Sequence, residues 1–80
     1  MKQKKVVIYT GPNCKFCKTE KAFFDKHGIK YVEFDISKEP DAKLKLLSMG
    51  VRQIPYTLID DLAIRGFDEG VFEEEFGITH

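Results

Sequence analysis

Cys14 and Cys17 are the only cysteines of this 80-residue chain, and they stand together as Cys14-Lys15-Phe16-Cys17 just after the apolar run Val6-Val7-Ile8-Tyr9. Two thiols three residues apart at a strand-to-helix junction mark a thiol–disulfide exchange site. On a helix, positions i and i+3 share a face, so the two sulfurs meet with little backbone movement. The helix N-terminus also presents unpaired N–H groups and a partial positive charge. Both favour a thiolate over a thiol, and the thiolate is the nucleophile. The blander alternative is two core cysteines that happen to be neighbours. Gly11-Pro12-Asn13 disfavours it, because that tripeptide marks an exposed turn just before the pair.

Periodicity and punctuation place the elements that must hold this pair. Val6 to Tyr9 is β-branched, aromatic and continuous, which suits a strand buried on both faces. Cys14 to about His27 reads as a helix, stopped by Gly28. Lys30 to Ile36 alternates, with Val32, Phe34 and Ile36 on one side and Tyr31, Glu33 and Asp35 on the other, as in a strand near a sheet edge. Ser37 and Pro40 signal the start of a second helix, with Leu44, Leu47 and Met49 as its buried side and Gly50 as its end. Pro55 to Ile59 forms a third strand, and Asp60-Asp61 turns it into a fourth, Leu62 to Arg65, as a hairpin. Asp68 caps a last short helix holding Val71, Phe72 and Phe76 and stopped by Gly77. The order is β-α-β-α-β-β-α. The first β-α-β unit is expected to be parallel and the final hairpin antiparallel, giving a four-stranded mixed sheet with helices on both faces.

Eighty residues make one small domain, 1–80, with a single core and no repeat or linker. Thirteen Lys and Arg balance thirteen Asp and Glu, which argues against a nucleic-acid partner. The charges are unevenly spread. Residues 2–5 and 15–21 are lysine-rich, while Asp68, Glu69, Glu73, Glu74 and Glu75 crowd the far end. No apolar run approaches the roughly 20 residues that span a bilayer, and the stretch after the basic N-terminus is too short for a signal peptide. A cytosolic location and no membrane partner are expected, and in the cytosol a lone cysteine pair serves catalysis rather than structure. No spare apolar face remains once the core is assigned, so a monomer is expected.

With Cys-x-x-Cys opening the first helix, this order resembles the thioredoxin fold and, within it, the glutaredoxin family. Three segments carry the resemblance: Val7 to Cys17, similar to the glutaredoxin active-site segment; Gly50-Val51-Arg52-Gln53-Ile54-Pro55, similar to the approach to the family's cis-proline; and Arg65-Gly66-Phe67-Asp68-Glu69, similar to its glycine turn before the last helix. Arg52-Gln53-Ile54-Pro55 has the wording of NrdH-type redoxins, where glutathione-using glutaredoxins usually have Thr-Val-Pro. Many relatives carry a glutathione-holding Lys where this chain has Gly11. Gly66-Phe67-Asp68-Glu69 reads more like glutaredoxin, and Lys15-Phe16 matches neither group.

The resemblance implies a dithiol–disulfide oxidoreductase with no bound cofactor that reduces protein disulfides. Its electrons would come from thioredoxin reductase with ribonucleotide reductase as client or, alternatively, from glutathione as co-substrate. Cys14, at the cap or first helical position, is the expected nucleophile; Cys17, one turn in, is the resolving thiol that closes the redox-active disulfide. Pro12, Lys15, Phe16, Arg52, Gln53, Ile54, Pro55, Gly66, Phe67 and Asp68 are the candidate substrate-binding residues. Pro55 is expected to be cis and to expose the Ile54 backbone to a substrate strand; otherwise it simply starts an edge strand. Phe16 either reaches a partner or packs inward on Phe23. Arg52 and Gln53 either meet a carboxylate or stay solvated, and Asp68 either accepts the glutathione amino group or only caps its helix.

Glu20, three residues past Cys17, is read as a helix-surface side chain whose stem covers apolar groups, with a proton acceptor for Cys17 as the alternative. Structural zinc needs four ligands, and only His27 and His80 could join the cysteines. No metal site is therefore expected in this chain, although some glutaredoxins bridge an iron–sulfur cluster as dimers.

Overall fold

The computed structural model describes residues 4–78. Lys2 of the basic N-terminal run and His80 lie outside them. The elements run β1 (Val6–Thr10), α1 (Lys15–Lys26), β2 (Val32–Asp35), α2 (Pro40–Ser48), β3 (Tyr56–Ile59), β4 (Leu62–Arg65) and α3 (Glu69–Phe76). This is the expected β-α-β-α-β-β-α order of the thioredoxin-like fold. The sheet order is β2-β1-β3-β4, with β1 parallel to β2 and antiparallel to β3, and β3 antiparallel to β4.

Strand alternation divides the core into two layers. Val6 and Ile8 of β1, Ile59 of β3 and Ile64 of β4 join Phe23 and Phe24 of α1 and Phe72 of α3. On the other face Tyr9 and Tyr56 meet Ala42 and Leu46 of α2 and Val51. β1 is thus buried on both sides, which explains its unbroken apolar run. β2 lies at the sheet edge, and its Val32 is 49 % exposed. Asp60 takes a positive φ of 52° in the β3–β4 turn, and its carboxylate accepts from the Lys5 N–H at 3.0 Å. The hairpin turn therefore pins the start of β1.

α2 departs from expectation. Leu44, Leu47 and Met49, read as its buried side, are exposed, and Ala42 and Leu46 face the sheet instead. The helix is held at both ends: Lys38 and Glu39 donate backbone N–H bonds to Asp35 O, and the Val51 N–H returns to Leu46 O at 3.2 Å. Between these turns, Ala42 and Leu46 are the side chains that meet Tyr9, Tyr56 and Val51. Ser37 does not cap the helix either. Its N–H and hydroxyl both bond the Asp35 carboxylate, and Glu39 occupies the cap with no side-chain bond.

Candidate active site

β1 ends at Thr10, and the chain turns through Gly11-Pro12-Asn13 into α1. Asn13 holds a φ of 57°, a left-handed conformation that asparagine tolerates better than most residues. The turn leaves Cys14 at the N-cap with extended backbone, φ −101° and ψ 102°. Its Sγ accepts the backbone N–H of Cys17 at 3.2 Å, in the place where a serine or aspartate oxygen usually sits. No acidic residue occupies the first turn of α1, and Lys15 and Lys18 are exposed beside it. The N–H bond and the helix terminus would favour negative charge on Cys14 Sγ once the disulfide is reduced.

Cys14 and Cys17 are joined as a disulfide, with Cα atoms 5.2 Å apart. Cys14 is half-buried, and Cys17 is 2 % exposed. Pro12 and Lys15 are exposed. Phe16 is 60 % exposed and points away from Phe23, whose ring partners are Phe24, His27, Phe67 and Phe72.

The Ile54–Pro55 bond is cis. Pro55 is buried and Ile54 half-buried, and the Gly66 N–H donates to Pro55 O at 2.8 Å. Gly66 itself has a φ of 76°, which glycine adopts without penalty. On the cysteine side, a Cβ built on Gly11 would lie 2.7 Å from Ile54 Cδ1. The cysteine-bearing turn, the cis-proline loop and the end of β4 therefore meet at one end of the sheet. Arg52 and Gln53 are exposed there and line one pocket with Gly50, Val51 and Arg65. Arg65 opens the glycine-turn segment but is not among the expected binding residues; its pairing opposite Tyr56 in the hairpin brings it to Arg52 and Gln53. Phe67 packs on Phe23 and Phe72 at 5.9 and 5.8 Å between ring centroids. Asp68 caps α3, its carboxylate accepting the Val71 N–H at 3.2 Å.

Glu20 corrects the surface reading: it is fully buried. Its carboxylate accepts a short hydrogen bond from the Thr57 hydroxyl on β3. Burial pushes its pKa up to about 7, and the Thr57 bond only partly offsets this. Glu33, by contrast, accepts from the Thr10 hydroxyl at 2.6 Å and the Lys21 ammonium at 2.9 Å, and these bonds hold it below the usual carboxylate range.

A model of the glutaredoxin family matches residues 6–64, from β1 into β4. The chain belongs to the glutaredoxin family. This glutaredoxin is similar to the glutaredoxin-like protein NrdH of Lactococcus lactis, at 36% identity over 62 residues covering 78% of this chain and 86% of that one. Its structure is similar to that of a thioredoxin-like protein, with a TM-score of 0.81 and 30% identity over 88% of this chain and 97% of the other. It is also similar to the NrdH-redoxin from Escherichia coli, with a TM-score of 0.81 and 26% identity over 88% and 92%. Family membership and the Cys14–Cys17 pair make it a thiol–disulfide oxidoreductase of the NrdH redoxin kind. The wording of Arg52-Gln53-Ile54-Pro55 pointed the same way. No helix among the described residues is long and apolar enough to cross a membrane.

Proposed function

We propose that this glutaredoxin is a cytosolic, single-domain, monomeric dithiol carrier that reduces protein disulfides and is itself reduced by thioredoxin reductase. The cap geometry of Cys14 supports its part as nucleophile: the Cys17 N–H bond to its Sγ would favour a thiolate there once the disulfide is reduced. Reduced Cys14 attacks one sulfur of the substrate disulfide, forms a mixed disulfide and releases the other sulfur as a thiolate. Cys17 then attacks Cys14 Sγ, frees the second substrate sulfur and closes the internal disulfide. The Ile54 backbone at the cis-proline, with Pro12, Lys15, Phe16 and Gly66 around it, forms the docking surface for an extended substrate segment. Phe67 and Asp68 support its far wall, and Arg52, Gln53 and Arg65 offer donors to a substrate carbonyl or carboxylate. The likeness to NrdH proteins supports ribonucleotide reductase as the client.

The second reading is a glutathione-dependent glutaredoxin, and the Arg52–Gln53–Arg65 pocket favours it as a carboxylate site. Against it, the space beside Gly11 is filled by Ile54 Cδ1, and the Asp68 carboxylate is engaged in its own helix cap. Neither reading calls for a bound cofactor.

Two variants and two electron sources test the proposal. Cys14→Ser should abolish disulfide reduction, and Cys17→Ser should accumulate a mixed disulfide visible by mass spectrometry. NADPH consumption should be rapid with thioredoxin reductase and slow with glutathione and glutathione reductase. Activity surviving in Cys14→Ser would remove its assignment as nucleophile, and the opposite reductant preference would establish the glutathione reading.

A further inference from the structure

Glu20 is the one buried carboxyl on the described part of α1, and the sheet offers it a single donor, the Thr57 hydroxyl on Oε2. Oε1 is buried with no hydrogen-bond partner among the described residues. A side chain whose only role was to tie α1 to β3 would be better neutral, since an underpaired buried carboxylate is costly. Cys17, also buried, lies one turn back on the same helix. Side chains three residues apart have Cβ atoms about 5–6 Å from each other, and helical side chains lean toward the N-terminus. Glu20 and Cys17 therefore share the buried face of α1 one turn apart, and the Glu20 carboxyl reaches from that face to Thr57, two residues beyond Pro55.

We propose that Glu20 is the proton acceptor that frees Cys17 for the resolving step. The inference rests on the reading of Cys14 as nucleophile and Cys17 as resolving thiol. In the mixed disulfide, Cys14 Sγ is bonded to a substrate sulfur and Cys17 is a buried thiol, a form that attacks poorly. The Glu20 carboxylate takes the thiol proton. Cys17 Sγ attacks Cys14 Sγ, the Cys14–Cys17 bond forms, and the bond from Cys14 to the substrate sulfur breaks. The substrate thiolate leaves with the electron pair. The two cysteines have then lost two electrons, the substrate disulfide has gained them, and the proton sits on Glu20 for release to the leaving thiolate or to water. When a thiol reductant reopens the internal disulfide, the Cys17 thiolate takes a proton back.

Burial supports this assignment, because it brings Glu20 to about 7, within two units of an ordinary thiol. Among the described residues Glu20 is the buried carboxyl of these surroundings. On the same sheet face, β1 contributes the Thr10 hydroxyl and β2 contributes Glu33 and Asp35, both held below the usual carboxylate range by hydrogen bonds. β3 contributes Thr57. On β4, Arg65 lies opposite Tyr56 on the other face. α3 sends in the Phe72 ring, its Glu75 is paired with Lys4 at 3.1 Å, and Asp68 caps its start. On α1 itself Lys21 is paired with Glu33, and His27 lies against the Phe23 ring. The Tyr31 phenol is raised above 10 by burial and by Asp25.

Stopped-flow reaction of the reduced protein with a chromogenic aromatic disulfide separates the two steps. The first thiolate released reports Cys14 attack, and the second reports Cys17 attack. Cys17→Ser should release only one equivalent, and two equivalents there would overturn the underlying assignment of the cysteines without involving Glu20. In the wild type the second phase should show a break near pH 7 that the first phase lacks. Glu20→Gln should keep the first phase, lose the break, and slow the second phase at least tenfold at pH 7. A wild-type second phase without a break between pH 6 and 8, or a Glu20→Gln profile superimposed on it, overturns the proposal. If Glu20→Gln gives no normal first phase, Thr57→Val decides. Loss of the hydroxyl should move the break to higher pH, and an unmoved break rejects the role.

Discussion

At the residue scale, Glu20 links stability and function with opposite preferences for pH. A carboxyl whose folded pKa lies above its unfolded value binds more protons when folded, so its contribution is intact at acid pH and lost as pH rises through the folded value. The rise from 4.5 to about 7 corresponds to about 3 kcal/mol at most, lost between about pH 4.5 and 7. Glu33 and Asp35 are shifted the other way, so their effect is confined to more acid solution. Urea unfolding at pH 5 and pH 8 should show the wild type losing stability toward pH 8 and Glu20→Gln losing much less. Equal losses in both would mean that Glu20 ionises freely in the folded protein. Burial of Glu20 was legible only in part. Cys17, Glu20 and Phe24 follow helical spacing, but the charge of Glu20 argued for the surface. Its partner Thr57 is 37 residues away, and no local pattern connects them.

At the element scale, the site depends on loops that touch rather than on any one loop. Ile54 Cδ1 lies where a Cβ on Gly11 would come within 2.7 Å of it, and Gly11 needs no positive φ, so space alone decides what fits there. Gly11→Ala should turn the end of the Ile54 side chain aside at a cost of under about 1 kcal/mol, and slow protein disulfide reduction. Ile54→Val removes the obstructing Cδ1 and alone should cost about 0.5–1.5 kcal/mol. The double variant should be more stable than the sum of the single changes, measured by denaturant unfolding as a double-mutant cycle. Strict additivity would show that the two loops are not coupled. α2 carries the corresponding lesson about reading. Leu44 and Leu47 outrank Ala42 in hydrophobicity, yet Ala42 and Leu46 are the side chains packed with Tyr9 and Tyr56.

At the scale of the whole molecule, the reactive cysteine hangs from the end of β1 and the cis-proline from the start of β3, the two central and mutually paired strands. Native-state hydrogen exchange should therefore show β1 and β3 amides opening last, and the edge strand β2 opening earlier. A β2 amide as slow as those of Ile8 and Thr57 would contradict this. The cysteine pair and the cis-proline sit at the ends of these central strands, while the residues proposed to meet substrate lie in the turns and the first turn of α1 around them. By itself the sequence determined the cysteine pair, the element order, the family and the glycine and asparagine turns, because each of these depends on neighbours in the chain and on period. Only the tertiary structure decided that Glu20 meets Thr57, that Arg65 joins Arg52 and Gln53, and which side of α2 is buried. Those outcomes depend on how helices rotate and which strands pair, and such long-range contacts leave no local trace in composition or spacing.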